Sequence, residues 1–293
     1  MAFSSVDSIV TSLASAKTAR VDWNKITGAS AYTAGRWYDL SGLGGTPVAN
    51  AWAGTALAWT ACTESAGNGT QIFGMRHGGD VSTDVKHILN ASAITGVATG
   101  VPSQLMLVDM CGYYPTINLN SASAQTLTGT PSLRYTNGVG VRAFLSVTTA
   151  SGATAHNVAI SYTDQDGNTG NTLPVTVACT ASAIIGHINH SGVAANNYGP
   201  FLPLASGDRG IRSVQTVTIS AASGSGAAAL VLCRPLLTIP LPVVSVASER
   251  DFLNQIPSLP VIPDGACLTW LYFAGAATAA STNFYGHLDT VWG

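Results

Sequence analysis

The sequence predicts a mainly β protein: an antiparallel β-sandwich, jelly-roll-like, with a short N-terminal helix and an irregular arm. Three observations carry this. Runs with period-two alternation of apolar residues recur from about residue 138 onward. The segments between them are rich in Gly, Ser, Asn and Asp, the residues that tight turns demand. Helical spacing is confined to one short stretch at the start, so sheets packed on sheets must supply the core.

At the N-terminus, Ser4 or Ser5 can cap a helix and Asp7 suits its first turn, while Phe3, Val6, Val10 and Leu13 recur at helical spacing on one face. From Val21 to about Asn90 the pattern is mixed. Loop-like stretches ("SGLGGTPVAN", "ESAGNGT") separate Trp23, Trp37, Tyr38, Trp52 and Trp59. Residues 1–90 are therefore read as the helix and an arm with short strands, and residues 91–293 as the sandwich domain. In "GVGVRAFLSVTT", Val139, Val141, Ala143, Leu145 and Val147 share a parity; "HNVAISYT" places Val158, Ile160 and Tyr162 likewise, and "TLPVTVA" places Leu173, Val175 and Val177. With turns at Ser151-Gly152 and Asp166-Gly167, these three segments read as a meander whose third strand starts near Pro174 or lies at an edge. Residues 199–236 read as a hairpin turning at "SGSG" (223–226), with a bulge near Gln215 because Val214 breaks the parity of Ile211, Val217 and Ile219. "AAALVLCRPL" and "ACLTWLYFAGA" are apolar on both parities, as strands covered on both sides are.

Composition narrows the function. Charged residues make up 9% of the 293, hydrophobic ones 46%, and mean hydropathy is +0.29; an average globular chain is about 25% charged. No run of about 18 apolar residues suits a bilayer helix, and the irregular strand lengths do not fit an outer-membrane barrel. The start "MAFSSVDSIVTSLASAK" lacks a basic, then apolar, export signal. With a net charge of −2 and twelve dispersed Lys and Arg, neither nucleic acid nor an anionic membrane is an expected partner. The five cysteines, Cys62, Cys111, Cys179, Cys233 and Cys267, contain no C-x-x-C and read as buried thiols from a reducing compartment.

Candidate chemistry is sparse. "GVGVRA" (138–143) fits G-x-G-x-x-A, but it is itself a strand with no helix after it. "DQDGN" (164–168) begins like a calcium loop, yet the twelfth position is Val175, so a tight turn explains it better. His187 and His190 in "HINH" point to opposite faces of a strand, with no nearby Asp, Glu or Cys pair to complete a metal site; they read as polar-loop or interface histidines. A G-x-S-x-G elbow is lacking, and no carboxylate pair stands out among fourteen acids. Asp208, between Gly207 and Arg209-Gly210, fits a turn that bonds its own backbone better than a catalytic acid. No catalytic residue, cofactor or metal is assigned.

The apolar excess is then expected to go to neighbouring subunits, since obligate interfaces are poor in charge. Residues 167–207 contain no Asp, Glu, Lys or Arg, and Arg outnumbers Lys nine to three, which suits burial at interfaces. Phe3, Val6, Val10, Leu13, Trp23, Trp37, Tyr38 and Trp52 are the candidate interface residues; a sugar-stacking platform is the other use for the aromatic ones.

Two blocks, "GDRGIRSV" (Gly207–Val214) and "ALVLCRPL" (Ala229–Leu236), with the start "DWNKITGASAYTAGRWYDLSG" and the ending "GACLTWLYFAGAATAASTNFYGHLDTVWG", resemble virion structural proteins of tailed bacteriophages. The resemblance implies a non-enzymatic shell component assembled in the bacterial cytoplasm. Foremost among these is a capsid decoration or cement protein that binds the major capsid protein as a homo-oligomer, commonly a trimer. A major capsid protein is disfavoured because its usual fold has a long spine helix. The alternatives are a tail, baseplate or head-fibre component and a carbohydrate-binding receptor-recognition jelly roll.

Overall fold

The computed structural model describes residues 3–64, 73–193, 199–253 and 259–293. The chain opens with α1 (Val6–Ala14), followed by β1 (Thr18–Ile26), β2 (Arg36–Asp39), β3 (Gly45–Thr46), β4 (Thr60–Ala61) and β5 (Lys86–Ile94). The longest strand, β6 (Ser103–Asn118), leads to β7 (Gln125–Thr126), β8 (Arg142–Thr149), β9 (His156–Asp164), β10 (Asn171–Thr172) and β11 (Val177–Cys179). Then come β12 (Ile211–Ile219), β13 (Ala227–Leu241), β14 (Ser248–Asp251), β15 (Val261–Ile262), β16 (Leu268–Ala274) and β17 (Asn283–Trp292).

Three sheets result, with all pairings between these strands antiparallel. A central sheet has the order β2-β16-β6-β13-β8, with β4 also on β6. A second runs β10-β9-β12-β7, with β11 on β9; a third runs β14-β5-β17-β1-β3, with β15 on β5. The mainly β, antiparallel sandwich is thus as expected, built as two sandwich halves that share the central sheet. One end of β6 and β13 (Cys111, Tyr114, Ile117; Ala228, Leu230, Leu232) packs with Val158, Ile160, Val217 and Ile219 of the second sheet. The other end (Leu105, Leu107; Leu237, Ile239, Leu241) packs with Trp23, Ile88, Phe284 and Leu288 of the third. The alternate residues Val108, Met110, Ala229, Val231, Cys233 and Leu271 form a separate cluster under Trp37, Ile188 and Cys62. β13 and β16 are therefore apolar on both parities because both faces are covered, as their sequences imply.

Two pairings differ from expectation. β8 does not pair with β9, nor β12 with β13: β8 and β13 lie together in the central sheet, β9 and β12 in the second. The 199–236 hairpin does not form, and of the meander only the second half does: β9 pairs with β10 and β11. The turns at Ser151-Gly152 and at 223–226 instead carry the chain between facing sheets, and they touch. The Gly152 N–H donates to the Ser225 carbonyl at 3.2 Å, and a Cβ on Gly152 would come within 1.9 Å of the Ser223 carbonyl oxygen. The inward parities hold, since Val141, Ala143, Leu145 and Val147 face Val158, Ile160 and Tyr162 across the core; Val139 and Val175 are exposed. The bulge near Gln215 is present as a register shift between Val214 and Thr216.

The division placed at residue 90 falls inside β5. Strands β1, β2 and β4 bond to β17, β16 and β6 respectively, so the first ninety residues are built into the sheets rather than appended to them. α1 is capped by Ser5, whose side chain accepts from the Ser8 N–H, in a capping box with Ser8. The helix packs against β17 and buries Ile9 and Ser12.

The apolar excess has its answer inside the subunit. Its accessible surface is 11555 Å², against about 11,700 Å² expected for a compact monomer of this mass. A central sheet with both faces buried absorbs the residues that the composition left unplaced. Much of the apolar excess that was expected to go to partner subunits is therefore held within the subunit itself.

Candidate functional site

The candidate interface residues divide sharply. Trp23 is 3% exposed and packs tilted against Trp270 at 4.7 Å; Tyr38 is 1% exposed and stacks on Tyr32 at 3.7 Å. Trp37 is buried against Phe273. These three rings belong to the subunit's own core and line neither an interface nor a sugar platform. Trp52 is half-buried, edge-on to Tyr113, and Phe3 rests on His87 with ring centroids 5.4 Å apart. The rest stay outside: Val6 is 55% exposed, Val10 56% and Leu13 39%. The helix docks through its flank at Ile9 and Ser12, where Gly293 allows close approach. Its apolar stripe is thereby left facing solvent.

Charge is scarce on the rest of the surface. Lys25, Asp39, Lys86, Asp109 and Asp164 are buried, which removes five of an already small set from the solvent-facing side. Lys25 donates to the carbonyls of Leu43 (3.0 Å) and Pro47 (2.7 Å), and burial lowers its pKa to about 8.

A buried polar cluster lies where the two halves of the sandwich meet. Asp109 of β6 is fully buried. Arg134 grips it bidentately, Nε to Oδ2 at 3.1 Å and Nη2 to Oδ1 at 2.6 Å. The Tyr135 hydroxyl donates to Oδ2 at 2.9 Å and the Cys267 N–H to Oδ1 at 2.8 Å. Arg134 also reaches the carbonyls of Cys62 and Met110. Burial and the Asp109 charge raise the Tyr135 pKa, so its phenol remains a donor. The cluster clamps β6, the β16 entry and the 134–135 loop together, and no spacing rule in the sequence announces it.

The motif residues have structural duties. Asp208 accepts from the Tyr162 hydroxyl at 2.5 Å, and that hydroxyl accepts from the Ala205 N–H. The Gln165 side chain accepts from the N–H groups of Arg209 and Gly210, while Arg212 bonds the Gln165 carbonyl. "GDRGIR" is thus a latch holding the entry of β12 to the end of β9. In "DQDGN", the Asp164 carboxylate accepts from the N–H groups of Asp166 and Asn168 and from the side-chain amides of Asn168 and Asn171. That is a tight turn, as expected.

His187 and His190 are each 1% exposed, a correction to the polar-loop or interface reading. Burial holds their pKa values at about 3 and about 4, with Arg36 reinforcing the effect at His187. They are neutral core histidines, and among the described residues no group of three metal-ligating side chains converges. All five cysteines are free and buried, as read from their spacing.

One constellation was not legible in the sequence. On the outer face of the third sheet, Ser92 Oγ lies 2.7 Å from His287 Nδ1, and His287 Nε2 lies 3.6 Å from Asp289 Oδ2. Ser92 and His287 are cross-strand partners and Asp289 is two residues along, so strand register alone brings them together. Ser92 Oγ also accepts the His287 backbone N–H, which ties it to its neighbour strand. The trio is a polar ladder across two paired strands.

Comparison with protein-family models and with curated proteins gives no match. Among solved structures, the chain is similar to the VP2 subviral particle of infectious bursal disease virus, at 9% identity and a TM-score of 0.21, covering 94% of this chain and 80% of that one. Structures of the Gt and Gx strains of the same virus give 9% and 10% identity and TM-scores of 0.21 and 0.19 over 94% of this chain and 80% and 81% of theirs. Scores of this size do not place two chains in one fold.

Proposed function

We propose that the protein is a non-enzymatic virion structural component: a capsid decoration or cement protein that sits on the outer surface of a major-capsid-protein lattice as a homotrimer. The single observation that carries this is the helix α1, ordered and capped, docked by its flank, and presenting Val6, Val10 and Leu13 outward. An apolar stripe on a folded helix is a surface built to be covered. It sits on a subunit whose surface is neutral and hydrogen-bonding, which suits lying against other neutral surfaces rather than repelling them. The resemblance of residues 207–214 and 229–236 to phage virion proteins points the same way. The aromatic side chains that a sugar-binding reading needs are mostly in the core, so nothing favours that reading.

The test is co-sedimentation with shells of the parent particle stripped of this protein. The wild-type chain should saturate at hundreds of copies per particle. The double substitution Val6→Asp and Val10→Asp should weaken attachment by roughly tenfold or more, because two charges would be desolvated in an apolar contact, with near-UV circular dichroism unchanged. A stoichiometry of a few copies per particle would move the protein to a tail or fibre. Normal coating by the double variant would remove the helix from the contact.

A further inference from the structure

Beside the Asp109 cluster a cleft of about 860 Å³ opens, lined among others by Arg134, Tyr135, Asn137, Arg234, Leu236 and Val261. Asp109 and Arg234 are register partners on β6 and β13, so the two side chains stand on the same side of the central sheet. The carboxylate is already taken by Arg134, Tyr135 and the Cys267 N–H. Arg234 is left over. Its guanidinium carbon lies 4.5 Å from the centroid of the Tyr135 ring. Among the described residues its side chain makes no ion pair and no hydrogen bond.

Two guanidinium groups against one carboxylate leave the floor of the cleft with one positive charge in excess. A guanidinium has five N–H donors in a planar fork, and a half-buried polar group of this kind ordinarily finds acceptors. The missing acceptor best suited to the fork is a carboxylate, met through two parallel bonds. The walls restrict the ligand further. Val139, Leu236, Val261 and the prolines at 235, 260 and 263 offer apolar contact beside Thr136 and Asn137, and the Tyr135 ring is buried, with its near face already capped by Arg234. A sugar acid needs several hydrogen-bonding partners and an open aromatic face. A peptide needs one charged anchor and apolar pockets beside it.

We propose that this cleft binds an extended peptide segment presenting a carboxylate between apolar side chains, with Arg234 as the anchor for the carboxylate. This goes beyond the shell reading and does not depend on it. The probe is a fluorescein-labelled, end-capped peptide, Val-Pro-Glu-Val-Val amide, titrated with the full-length protein by fluorescence polarisation beside its Glu-to-Gln analogue. Saturable binding is expected, weakened roughly tenfold in the Gln analogue, as loss of a charge-assisted pair implies. Arg234→Gln should weaken the Glu peptide by the same factor and leave the Gln analogue unchanged. Equal binding of the two peptides to the native protein, or no saturation at millimolar concentration, would overturn the proposal; this comparison needs no variant, so it decides even if Arg234→Gln misfolds. Tighter binding of oligoglucuronate than of the peptide would overturn the peptide assignment.

Discussion

Asp109 and Arg134 carry the sharpest residue-level consequence. A buried carboxylate gripped by one bidentate guanidinium is secure only while all its donors remain. Arg134→Met should destabilise the fold by about 3–5 kcal/mol, the usual effect of stripping one partner from a buried ion pair, measured by urea unfolding. His187 and His190 make stability depend on pH. Their folded pKa values, about 3 and about 4, lie below the unfolded value of about 6.5, so the unfolded chain takes up protons first as pH falls. Their contribution is complete above about pH 6.5 and is lost progressively toward pH 4. Between pH 6.5 and 5 each histidine should remove about 2 kcal/mol. Replacing both by Gln should reduce the slope, the remainder coming from His77 and His156, whose pKa values burial also lowers, and an unchanged urea midpoint between pH 7 and 5 in the native protein would contradict their burial. Little of this was readable from sequence. "HINH" shows two histidines, but only the folded chain, which packs Tyr38 and Ser191 on His187 and buries His190 as well, shows that they are inside.

The elements were better forecast than their partners. Period-two alternation identified β8, β9 and β12 and most of their inward residues, because side-chain direction is a local property of an extended chain. It did not say whether the next strand lies beside its predecessor or across the core, since both arrangements bury the same parity. What decides between them here is backbone contact at the crossings, where Gly152 meets the 223–225 turn. The same logic applies to the motif at 207–214. A Cβ on Gly210 would lie 1.9 Å from the Gly138 carbonyl oxygen, so Gly210→Ala must push two bonded segments apart. The expected loss is about 2 kcal/mol or more, read as a lower denaturation midpoint; an unaltered midpoint would mean that the latch yields freely. α1 was foreseen as a helix but not in its orientation, because Phe3 and Ile9 take the contact with the third sheet and leave Val6 and Val10 outside. Deleting residues 1–14 should leave the β-sheets intact by far-UV circular dichroism while reducing shell binding. A truncation reaching residue 20 would also remove the start of β1, which pairs with β17 from Thr18 onward.

At the scale of the molecule, scarcity of charge and abundance of apolar residues have separate explanations. The apolar residues fill a central sheet packed on both faces between two sandwich halves, and the folded subunit has the accessible area of an ordinary monomer of its size. The surface that remains is poor in charge, since Lys25, Asp39, Lys86, Asp109 and Asp164 are buried, and it includes the exposed apolar stripe of α1. Such a surface lacks the self-repulsion that keeps isolated proteins apart, and it is suited to contact with copies of itself and with a lattice. Sedimentation velocity of the full chain across a range of micromolar concentrations near neutral pH tests this most directly. An oligomer is expected, with a trimer dominant; a single 29.9 kDa species whose sedimentation does not change with concentration would contradict a surface built for contact.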